Sequence, residues 1–556
     1  MRNRLQSLAG CLLLCLVATA GRAADRSLAA GAIASPDIYG ARAARQVLRE
    51  GGNAVDAAVA TGFVLAVTYP GAGNLGGGGL MTLYVAGKPY FLDYRETAPR
   101  AASAGMYLDR NGDPVPGLST VGNLSSGVPG TVAGLAEAHR RFGALSWRRD
   151  LAPAIALARD GFIVPRGLAA ERDEARGDFS ATNFAAWARG LNAGQRFRQP
   201  QLAATLQRIA YGGAQAFYAG RTADLIVAQM ARGPVKGLIT HADLAAYKAV
   251  WRAPIVGRWE GFTVITAPPP SSGGVALLQM LRMKQDAAPL FAGQALNSAQ
   301  YLHLVAEIEK RVFADRAEYM GDPDFTQVPV AALLAPGYLA RRARQIDPVK
   351  PSATASVTPG LEKPQTTHYS IVDKWGDAVS NTYTLNGTFG SGVTVEGAGF
   401  LMNDEMDDFS AKPGTPNQFG VVGGVANAIA PRKRPLSSMT PTVLTRDGRV
   451  AMVIGTPGGS RIFTSIFQVL VDAYDFHLPL KAAVDAPRYH HQLLPSDTLY
   501  WEPYAPFPPA LAAALKSRGY TLEEGFDTDV AAIEIDERRP VLAPDPRARG
   551  VGLAIP

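Results

Sequence analysis

The stretch Gln365-Thr366-Thr367-His368-Tyr369-Ser370 stands where two kinds of sequence meet. Before it, Pro348–Gln365 is polar, rich in proline and without a hydrophobic period, which is typical of an exposed linker. After it, His368–Asp373 alternates as a β-strand does. β-branched residues start strands well, so Thr366 has a purely structural interpretation. The other interpretation, a hydroxyl nucleophile at the end of a linker, depends on the rest of the chain.

The segments on both sides of this junction mix strands with helices. His368–Asp373 and Ala378–Leu385 predict a hairpin around Lys374-Trp-Gly-Asp377, and Pro441–Thr445 and Val450–Ile454 predict another around Asp447-Gly448, a strong turn signal. Further predicted strands are Leu80–Val85, Tyr90–Asp93 and Thr263–Ala267. Helical periods predict helices over Pro36–Glu50, from the cap Asn53 to about Val67, through most of Val128–Gln285, and over Ser298–Met320 and Arg461–Tyr474. Since hairpins replace regular strand–helix–strand alternation, we expect an α+β fold with sheets covered by helices.

The composition is that of a folded protein. The chain has 556 residues, of which 47% are hydrophobic and 19% charged, and this excludes disorder as its main state. The net charge is +7, but the basic residues are dispersed and form no tract. Nucleic acid is therefore not an expected partner.

The N-terminus has the pattern of a secretion signal. Arg2 and Arg4 precede an apolar run over Leu8–Ala20, and small residues follow it, so we predict a signal peptide over residues 1–24 and a periplasmic or secreted protein. A retained anchor and a lipoprotein box ending at Cys11 are the alternatives. Both cysteines of the chain, Cys11 and Cys15, lie in this segment. The mature protein then has no disulfide, cysteine-ligated metal or cysteine nucleophile.

Two motifs resemble cofactor or metal sites but lie in the wrong context. Residues 71–76 match a dinucleotide fingerprint, yet they follow a predicted helix and precede a predicted strand, the reverse of what a pyrophosphate site needs. We interpret them as a glycine-rich wall beside a ligand or another backbone segment. His490 and His491 are adjacent, so on a strand they point to opposite faces. We expect no metal and no cofactor.

Ten separate segments together identify a family. They are Asn74–Leu80, Asp93-Tyr-Arg95-Glu96, Gly237–Thr240, Pro268–Gly274, Gly321–Asp324, Gln365–Ser370, Thr384-Leu-Asn386, Asn403–Ser410, Pro435–Met439 and Thr456–Arg461. With these segments in this order, the chain resembles a secreted bacterial γ-glutamyltranspeptidase from about residue 28 to the C-terminus. The resemblance implies an N-terminal-nucleophile hydrolase fold, a four-layer αββα sandwich. It also implies a precursor that cuts itself into a large subunit, residues 25–365, and a small subunit, residues 366–556, which stay together as a heterodimer.

The chemistry of such a cut is consistent with the residues. A threonine hydroxyl is a weak nucleophile at neutral pH and needs a base. Cleavage before Thr366 would place an α-amino group, with a reference pKa of about 7.7–8.0, on the same residue as the hydroxyl. By resemblance, this enzyme cleaves γ-glutamyl amides such as glutathione and transfers the γ-glutamyl group to amino acids, peptides or water.

The resemblance also assigns site residues. It makes Thr366 the nucleophile, Thr384 its hydrogen-bonding partner, and the backbone N–H groups of Gly458 and Gly459 the oxyanion hole. The donor α-carboxylate is expected to meet Arg95, Ser437 and Ser438, and the α-ammonium to meet Asn386, Glu405 and Asp408. Many bacterial members carry glutamine in place of Glu405, so this contact differs in charge.

Two features leave alternatives open. Phe419, in the lid-like segment Pro413–Ala430, replaces a tyrosine that in some members binds the asparagine matching Asn386, and phenylalanine lacks the hydroxyl for this bond. A cephalosporin (glutaryl) acylase shares the fold and the nucleophile, although Arg95, Asn386 and Asp408 favour a transpeptidase. A self-cleaved but catalytically silent binding protein is the remaining hypothesis.

Overall fold

The computed structural model describes residues 26–353, 366–414 and 423–555. The α-helices, α1 to α18 in chain order, are Ile38–Arg49, Ala54–Thr68, Thr131–Phe142, Trp147–Asp160, Arg166–Ala175, Phe184–Trp187, Pro200–Gly212, Gln215–Tyr218, Arg221–Met230, His241–Ala246, Gly273–Asp286, Ala288–Phe291, Ala299–Tyr319, Val330–Leu333, Pro336–Arg344, Arg461–Tyr474, Leu480–Asp485 and Pro509–Ser517. The strands, β1 to β18, are Gly31–Ser35, Gly78–Val85, Lys88–Tyr94, Phe162–Ile163, Arg196–Phe197, Val250–Arg252, Ile255–Trp259, Phe262–Thr266, Thr367–Val372, Ala378–Thr384, Thr442–Arg446, Arg449–Gly455, Tyr489–His490, Thr498–Trp501, Thr521–Glu524, Ala531–Asp536, Arg539–Pro544 and Val551–Ile555.

Two large sheets form the centre of the molecule. The first has seven strands in the order β18-β1-β9-β10-β2-β3-β6, and the second has six in the order β17-β16-β12-β11-β8-β7. Apolar side chains of the two sheets meet between them, including Ala32, Val372, Val443 and Ile533. Their burial removes apolar surface from water, which is the main force that holds stacked sheets together.

Helices cover the outer faces of both sheets. Helices α1 and α2 pack on the first sheet, against β1, β9 and β10, in one apolar core. Helices α11 and α16 pack on the second sheet, against β7 and β12, in another. The layer order is therefore helix, sheet, sheet, helix, and the predicted four-layer sandwich is confirmed.

Both sheets draw strands from both sides of Thr366. In the first sheet, β1, β2, β3 and β6 precede this residue, whereas β9, β10 and β18 follow it. Strand β9 is hydrogen-bonded to β1 on one edge and to β10 on the other. Residues before and after Thr366 thus share one fold.

Local signals explain several element boundaries. Asn53 begins α2 with a capping box, in which its side chain accepts from the backbone N–H of Asp56 while the Asp56 carboxylate accepts from the N–H of Asn53. Asp447 and Gly448 have φ of 52° and 73°, the left-handed conformation that a tight hairpin turn requires. The predicted hairpins β9–β10 and β11–β12 are both present.

The helical prediction for Val128–Gln285 is incomplete, because four unpredicted strands lie within it: the two-residue strands β4 and β5, which pair with each other, and the longer strands β6 and β7. Each of the two longer strands is the last strand at an edge of its sheet. Edge strands are partly exposed, and β6 is only three residues long, so neither shows a clear alternation of apolar and polar residues.

Some sequence predictions fall outside the described residues. They are the signal peptide, residues 1–24, the linker beyond residue 353 up to Gln365, and Phe419. Within the described residues, none of the helices has the length and apolar composition needed to cross a membrane.

The glycine-rich segment 71–76 packs against backbone, as one of its two interpretations predicted. It lies between α2 and β2, and a Cβ on Gly73 would lie 2.3 Å from the carbonyl oxygen of Leu65. On the neighbouring Gly77, a Cβ would lie 2.0 Å from the carbonyl oxygen of Thr384. The glycines therefore allow the chain to approach the end of β10 closely.

We predict that Gly77→Ala destabilises the protein by about 1–3 kcal/mol, because the new methyl group overlaps the backbone of Thr384. Urea denaturation measures the change. Gly105→Ala is the matched control, since a Cβ there has no atom within 4 Å. Equal midpoints for the two variants would contradict the packing role of Gly77.

Candidate active site

Thr366 directly precedes β9, and Thr384 is the last residue of β10. The register pairs Thr367 with Tyr383, so the next pair along the ladder brings Thr366 opposite Thr384. The carbonyl of Thr384 accepts a hydrogen bond of 2.8 Å from the Asn74 side chain. The hairpin and the glycine-rich segment thus fix the two threonines together.

The imidazole of His368, two residues after Thr366, is engaged elsewhere. Its two ring nitrogens lie 2.7 Å from the Thr382 hydroxyl and 3.1 Å from the Ser370 hydroxyl. Burial lowers the pKa of His368 to about 3, so the ring is neutral at physiological pH. We assign it a structural role in the ladder and not that of a general base.

Gly458 and Gly459 lie between β12 and the first turn of α16. They have φ of 137° and 53°, and a Cβ on Gly458 would lie 2.7 Å from the side chain of Thr528. Glycine is therefore required at position 458 by both conformation and space. Backbone N–H groups at the start of a helix such as α16 favour a nearby negative charge, which suits an oxyanion.

Arg95 is the charged centre of the site and is almost completely buried. Its guanidinium forms ion pairs with Glu405 and Asp408 and donates to the carbonyls of Pro435, at 3.4 Å, and Leu436, at 3.2 Å. Through these contacts, the side chain of Arg95 connects the loop before β11 to the short helical turn at residues 405–408.

Burial and charge act against each other in this cluster. Burial raises the pKa of Glu405, Asp408 and Glu96 more than the positive charge of Arg95 lowers it, so all three pKa values stay above the usual range, that of Glu96 at about 7. Burial lowers the pKa of Arg95, but the neighbouring carboxylates outweigh it and raise the pKa overall. Arg95 therefore stays charged, and the carboxyl groups around it retain protons at higher pH than usual.

Asn386 has an unusual backbone conformation, with φ of 81°. Its backbone N–H donates to the Thr384 hydroxyl at 2.8 Å, and its side-chain NH₂ donates to the Asp404 carbonyl at 3.1 Å. Asparagine tolerates this left-handed region better than most residues. The strained turn places its carboxamide at the cavity wall.

One cavity unites nearly all of the predicted site. Nine of the ten predicted residues line it: Arg95, Thr366, Thr384, Asn386, Glu405, Asp408, Ser437, Ser438 and Gly459. Gly458, which is adjacent to Gly459 in the chain, is not part of the lining. Positive and negative groups both face this cavity, a combination that suits a zwitterionic ligand.

The sequence interpretation missed three lining residues, namely Arg316, Met439 and Ile462. The sequence does contain a sign of Arg316. At helical spacing it lies on the same face as the buried Val312, Phe313 and Met320, of which Met320 directly follows α13. An arginine in such a stripe indicates a buried cation that needs a partner.

Among the described residues, Asp56, His139 and Asp150 form a group of potential metal ligands. Asp56 already accepts hydrogen bonds from the backbone N–H groups of Asn53, Ala144 and Leu145, and His139 Nε2 lies 3.0 Å from the Leu145 carbonyl. These contacts tie α2 to the loop after α3, so we give the group a structural role.

The layered fold, with a threonine at the start of a central strand and facing a polar cavity, defines the class of protein. It is an enzyme of the N-terminal-nucleophile hydrolase type. A solved cephalosporin acylase from Bacillus halodurans has the same overall structure, with a TM-score of 0.80 at 27% identity over 95% of this chain and 96% of that one.

Three further comparisons define the family. The profile of the γ-glutamyltranspeptidase family matches residues 40–555. A glutathione hydrolase proenzyme from Pseudomonas aeruginosa is 60% identical over 543 residues, which cover 97% of both chains. A chain of the solved γ-glutamyltranspeptidase from Pseudomonas nitroreducens is 54% identical over 60% of this chain and 99% of that one, with a TM-score of 0.59. This chain belongs to the γ-glutamyltranspeptidase family, and its activity is the cleavage of γ-glutamyl bonds by an autoprocessed enzyme.

We predict that Arg95→Lys raises KM for γ-glutamyl donors and leaves self-cleavage nearly intact. Lysine keeps the charge but loses the planar fork that binds a carboxylate through two hydrogen bonds. Steady-state kinetics with γ-glutamyl-p-nitroanilide measures KM.

Arg252→Lys is the matched control for this prediction. Arg252 also pairs with carboxylates, Asp93 and Asp324 each at 2.7 Å and Asp322 at 3.8 Å, but it does not line the cavity. An unchanged KM in Arg95→Lys, or an equal rise in both variants, would show that Arg95 is not a carboxylate ligand.

Proposed function

We propose that the cavity around Thr366 binds a γ-glutamyl donor such as glutathione or a glutathione conjugate, and that the enzyme transfers its γ-glutamyl group to amino acids, peptides or water. One observation carries this assignment: Thr366 shares a single cavity with the buried Arg95, with the buried carboxyl group of Glu405 and with the partly buried carboxyl group of Asp408. A γ-glutamyl group carries a carboxylate and an ammonium on the same carbon, so it needs both signs of charge close together.

Thr366 first acts on its own chain. Its hydroxyl attacks the carbonyl carbon of Gln365, the peptide bond breaks, and the α-amino group of Thr366 is released while Gln365 remains as an ester on Oγ. Water then hydrolyses this ester. The products are a large subunit ending at Gln365 and a small subunit beginning at Thr366, and the strands that they share in both sheets hold them together as a heterodimer.

In turnover the new α-amino group is the base. It accepts the proton of the Thr366 hydroxyl as Oγ attacks the γ-carbonyl of the donor. The N–H groups of Gly458 and Gly459 stabilise the oxyanion, and the amine of the donor leaves with the proton. Water or an acceptor amine then attacks the acyl-enzyme and restores Thr366.

The donor is held by an exchange of ion pairs. Arg95 is paired with Glu405 and Asp408 within the protein itself. An α-carboxylate that binds Arg95, Ser437 and Ser438 replaces these acids as partners of the arginine. The released carboxylates, together with Asn386, then accept hydrogen bonds from the α-ammonium, so no buried charge is left without a partner.

Glu405 and Asp408 favour a γ-glutamyl donor over a glutaryl donor. A glutaryl group has a terminal carboxylate but no ammonium, so it would displace Glu405 and Asp408 from Arg95 and give them no new cation. Leaving buried charges without a partner is costly. An acylase activity like that of the Bacillus halodurans relative is therefore the second candidate, and its substrates serve as test compounds.

The N-terminal pattern of residues 1–24 supports export, so we propose a periplasmic or secreted enzyme. In the Pseudomonas nitroreducens structure, the matched chain corresponds to 60% of this chain, about the share that residues 25–365 make up. This proportion supports a cut at Gln365–Thr366.

We predict that the active protein consists of two chains that meet at Gln365 and Thr366, and that Thr366→Ala remains one uncut chain. Intact-mass analysis measures both. The two-chain protein should release p-nitroaniline from γ-glutamyl-p-nitroanilide, and do so faster with glycylglycine as acceptor, whereas Thr366→Ala should be inactive. An active, unbroken chain would refute the proposal.

We predict that Asp408→Asn impairs γ-glutamyl donors and spares glutaryl analogues, because only the former carry an ammonium. Losing one member of a desolvated charge pair typically costs about 2–5 kcal/mol, or roughly 30- to 4,000-fold. The ratio of kcat/KM for the two substrates measures the effect, after self-cleavage has been verified by mass.

The matched control for this variant is Asp407→Asn. Asp407 is the adjacent carboxylate, it binds the Ser119 hydroxyl at 2.5 Å, and it does not line the cavity. Equal losses on both substrates in Asp408→Asn would mean that Asp408 supports the structure and does not recognise the ammonium.

A further inference from the structure

Arg316 is a second buried arginine in the catalytic cavity, and no step above uses it. It lies near the end of α13, is 6% exposed, and lines the same cavity as Arg95 and Thr366. A buried guanidinium at the wall of a substrate cavity needs partners that justify its desolvation. Its partners connect it to the predicted carboxylate-binding serines.

The guanidinium of Arg316 holds the loop that carries Ser437 and Ser438. One of its terminal N–H groups donates to the Ser438 hydroxyl oxygen at 3.1 Å, and its Nε–H donates to the Ser272 hydroxyl oxygen at 3.1 Å. The Ser272 hydroxyl in turn donates to the carbonyl of Ser437 at 2.9 Å. Arg316 therefore anchors this loop directly and through Ser272.

These contacts also determine which way the serine protons point. A guanidinium has only donors, so Ser438 accepts from Arg316 and must direct its own O–H to another acceptor. The Ser437 hydroxyl oxygen accepts from the backbone N–H of Met439 at 3.1 Å, so its proton is directed away in the same manner. Both serines line the cavity and both are available as donors, which is the arrangement that an anionic ligand needs.

The charge of Arg316 acts in the same direction. Burial raises the pKa of Asp408, and the positive charges of Arg95 and Arg316 both lower it. Arg95 faces Glu96, Glu405 and Asp408, three acids that offset its single charge. A second cation at the serine loop makes that end of the cavity more favourable for a carboxylate.

We infer that Arg316 is a positioning residue for donor specificity: it fixes Ser438 as a hydrogen-bond donor and adds the second positive charge that selects donors with an α-carboxylate. This inference rests on the proposed function, because it concerns the same donor site. Its hydrogen bonds reach the carboxylate end of the site, so a donor that lacks the carboxylate should lose much less activity than one that carries it when Arg316 is replaced.

The experiment compares two donors that differ only in this group, γ-glutamyl-p-nitroanilide and 4-aminobutanoyl-p-nitroanilide. In Arg316→Met, kcat/KM for the first should fall roughly 10- to 100-fold, mainly through KM, as expected for a lost hydrogen bond to a charged group. The second should change little. Arg316→Lys should recover part of the loss, because lysine is also charged and also has only donors.

The coupling to Ser438 is tested by a double-mutant cycle. In the Ser438→Ala background, Arg316→Met should lower kcat/KM for γ-glutamyl-p-nitroanilide by a clearly smaller factor than in the wild-type background, since the hydroxyl that Arg316 orients is absent. Additive losses would overturn the orienting role of Arg316.

Arg311→Met is the matched control on the same helix. Arg311 is also buried, but it binds Glu307 at 2.9 Å and does not line the cavity. It should lower stability without changing the ratio of the two donors. Equal losses on both donors in Arg316→Met, or an unchanged KM for γ-glutamyl-p-nitroanilide, would overturn the inference.

A loss of donor specificity must be distinguished from a failure of the variant to fold or cut itself, and from a failure of the proposed function. If Arg316→Met does not cut itself, the two donors are compared in Arg316→Lys and Ser438→Ala instead. A ratio of kcat/KM for the two donors equal to that of the wild type in both variants would overturn the inference. The wild-type enzyme tests the proposed function independently, through its activity on γ-glutamyl-p-nitroanilide.

Discussion

The hydrogen-bonded position of β9 between β1 and β10 is the constraint on which the rest of the site depends. An N-terminal nucleophile becomes a chain end, and chain ends are usually poorly ordered unless a sheet or a packed element holds them. Here the strand after Thr366 is paired on both edges, once with a strand that precedes Thr366 in the chain and once with a strand that follows it. The same pairing sets Thr384 opposite Thr366 and would keep the two proposed subunits in one fold.

The electrostatic design of the cavity follows from its burial. A lone guanidinium or carboxylate in this position would be costly to desolvate, and the ion pairs of Arg95 with Glu405 and Asp408 avoid this cost. The proposed donor carries both charges and can replace both partners at once. Selectivity for a zwitterion is then a result of the internal ion pair, and Arg316 biases the serine end of the cavity towards the carboxylate.

Sequence patterns predicted the helices and hairpins with strong local signals better than the strands at the edges of the sheets. Turn chemistry at Asp447-Gly448 and the cap at Asn53 located a hairpin and a helix, because these signals are local. Strands β6 and β7 were missed because edge strands are short and partly exposed. Thr366 was locally ambiguous, since a threonine before a strand is common for structural reasons, and only the family motifs selected it. The contact of Arg316 with Ser438 joins positions 122 residues apart, which no local pattern can predict.

The central claim is that Thr366 carries the γ-glutamyl group during turnover. The most direct measurement is to mix the two-chain enzyme with γ-glutamyl-p-nitroanilide, quench it in acid within the first turnover, digest it and sequence the peptides by mass spectrometry. We expect one added γ-glutamyl group on the first residue of the peptide that begins at Thr366, on its hydroxyl oxygen. A γ-glutamyl adduct on any other side chain, with Thr366 unmodified, would contradict the account.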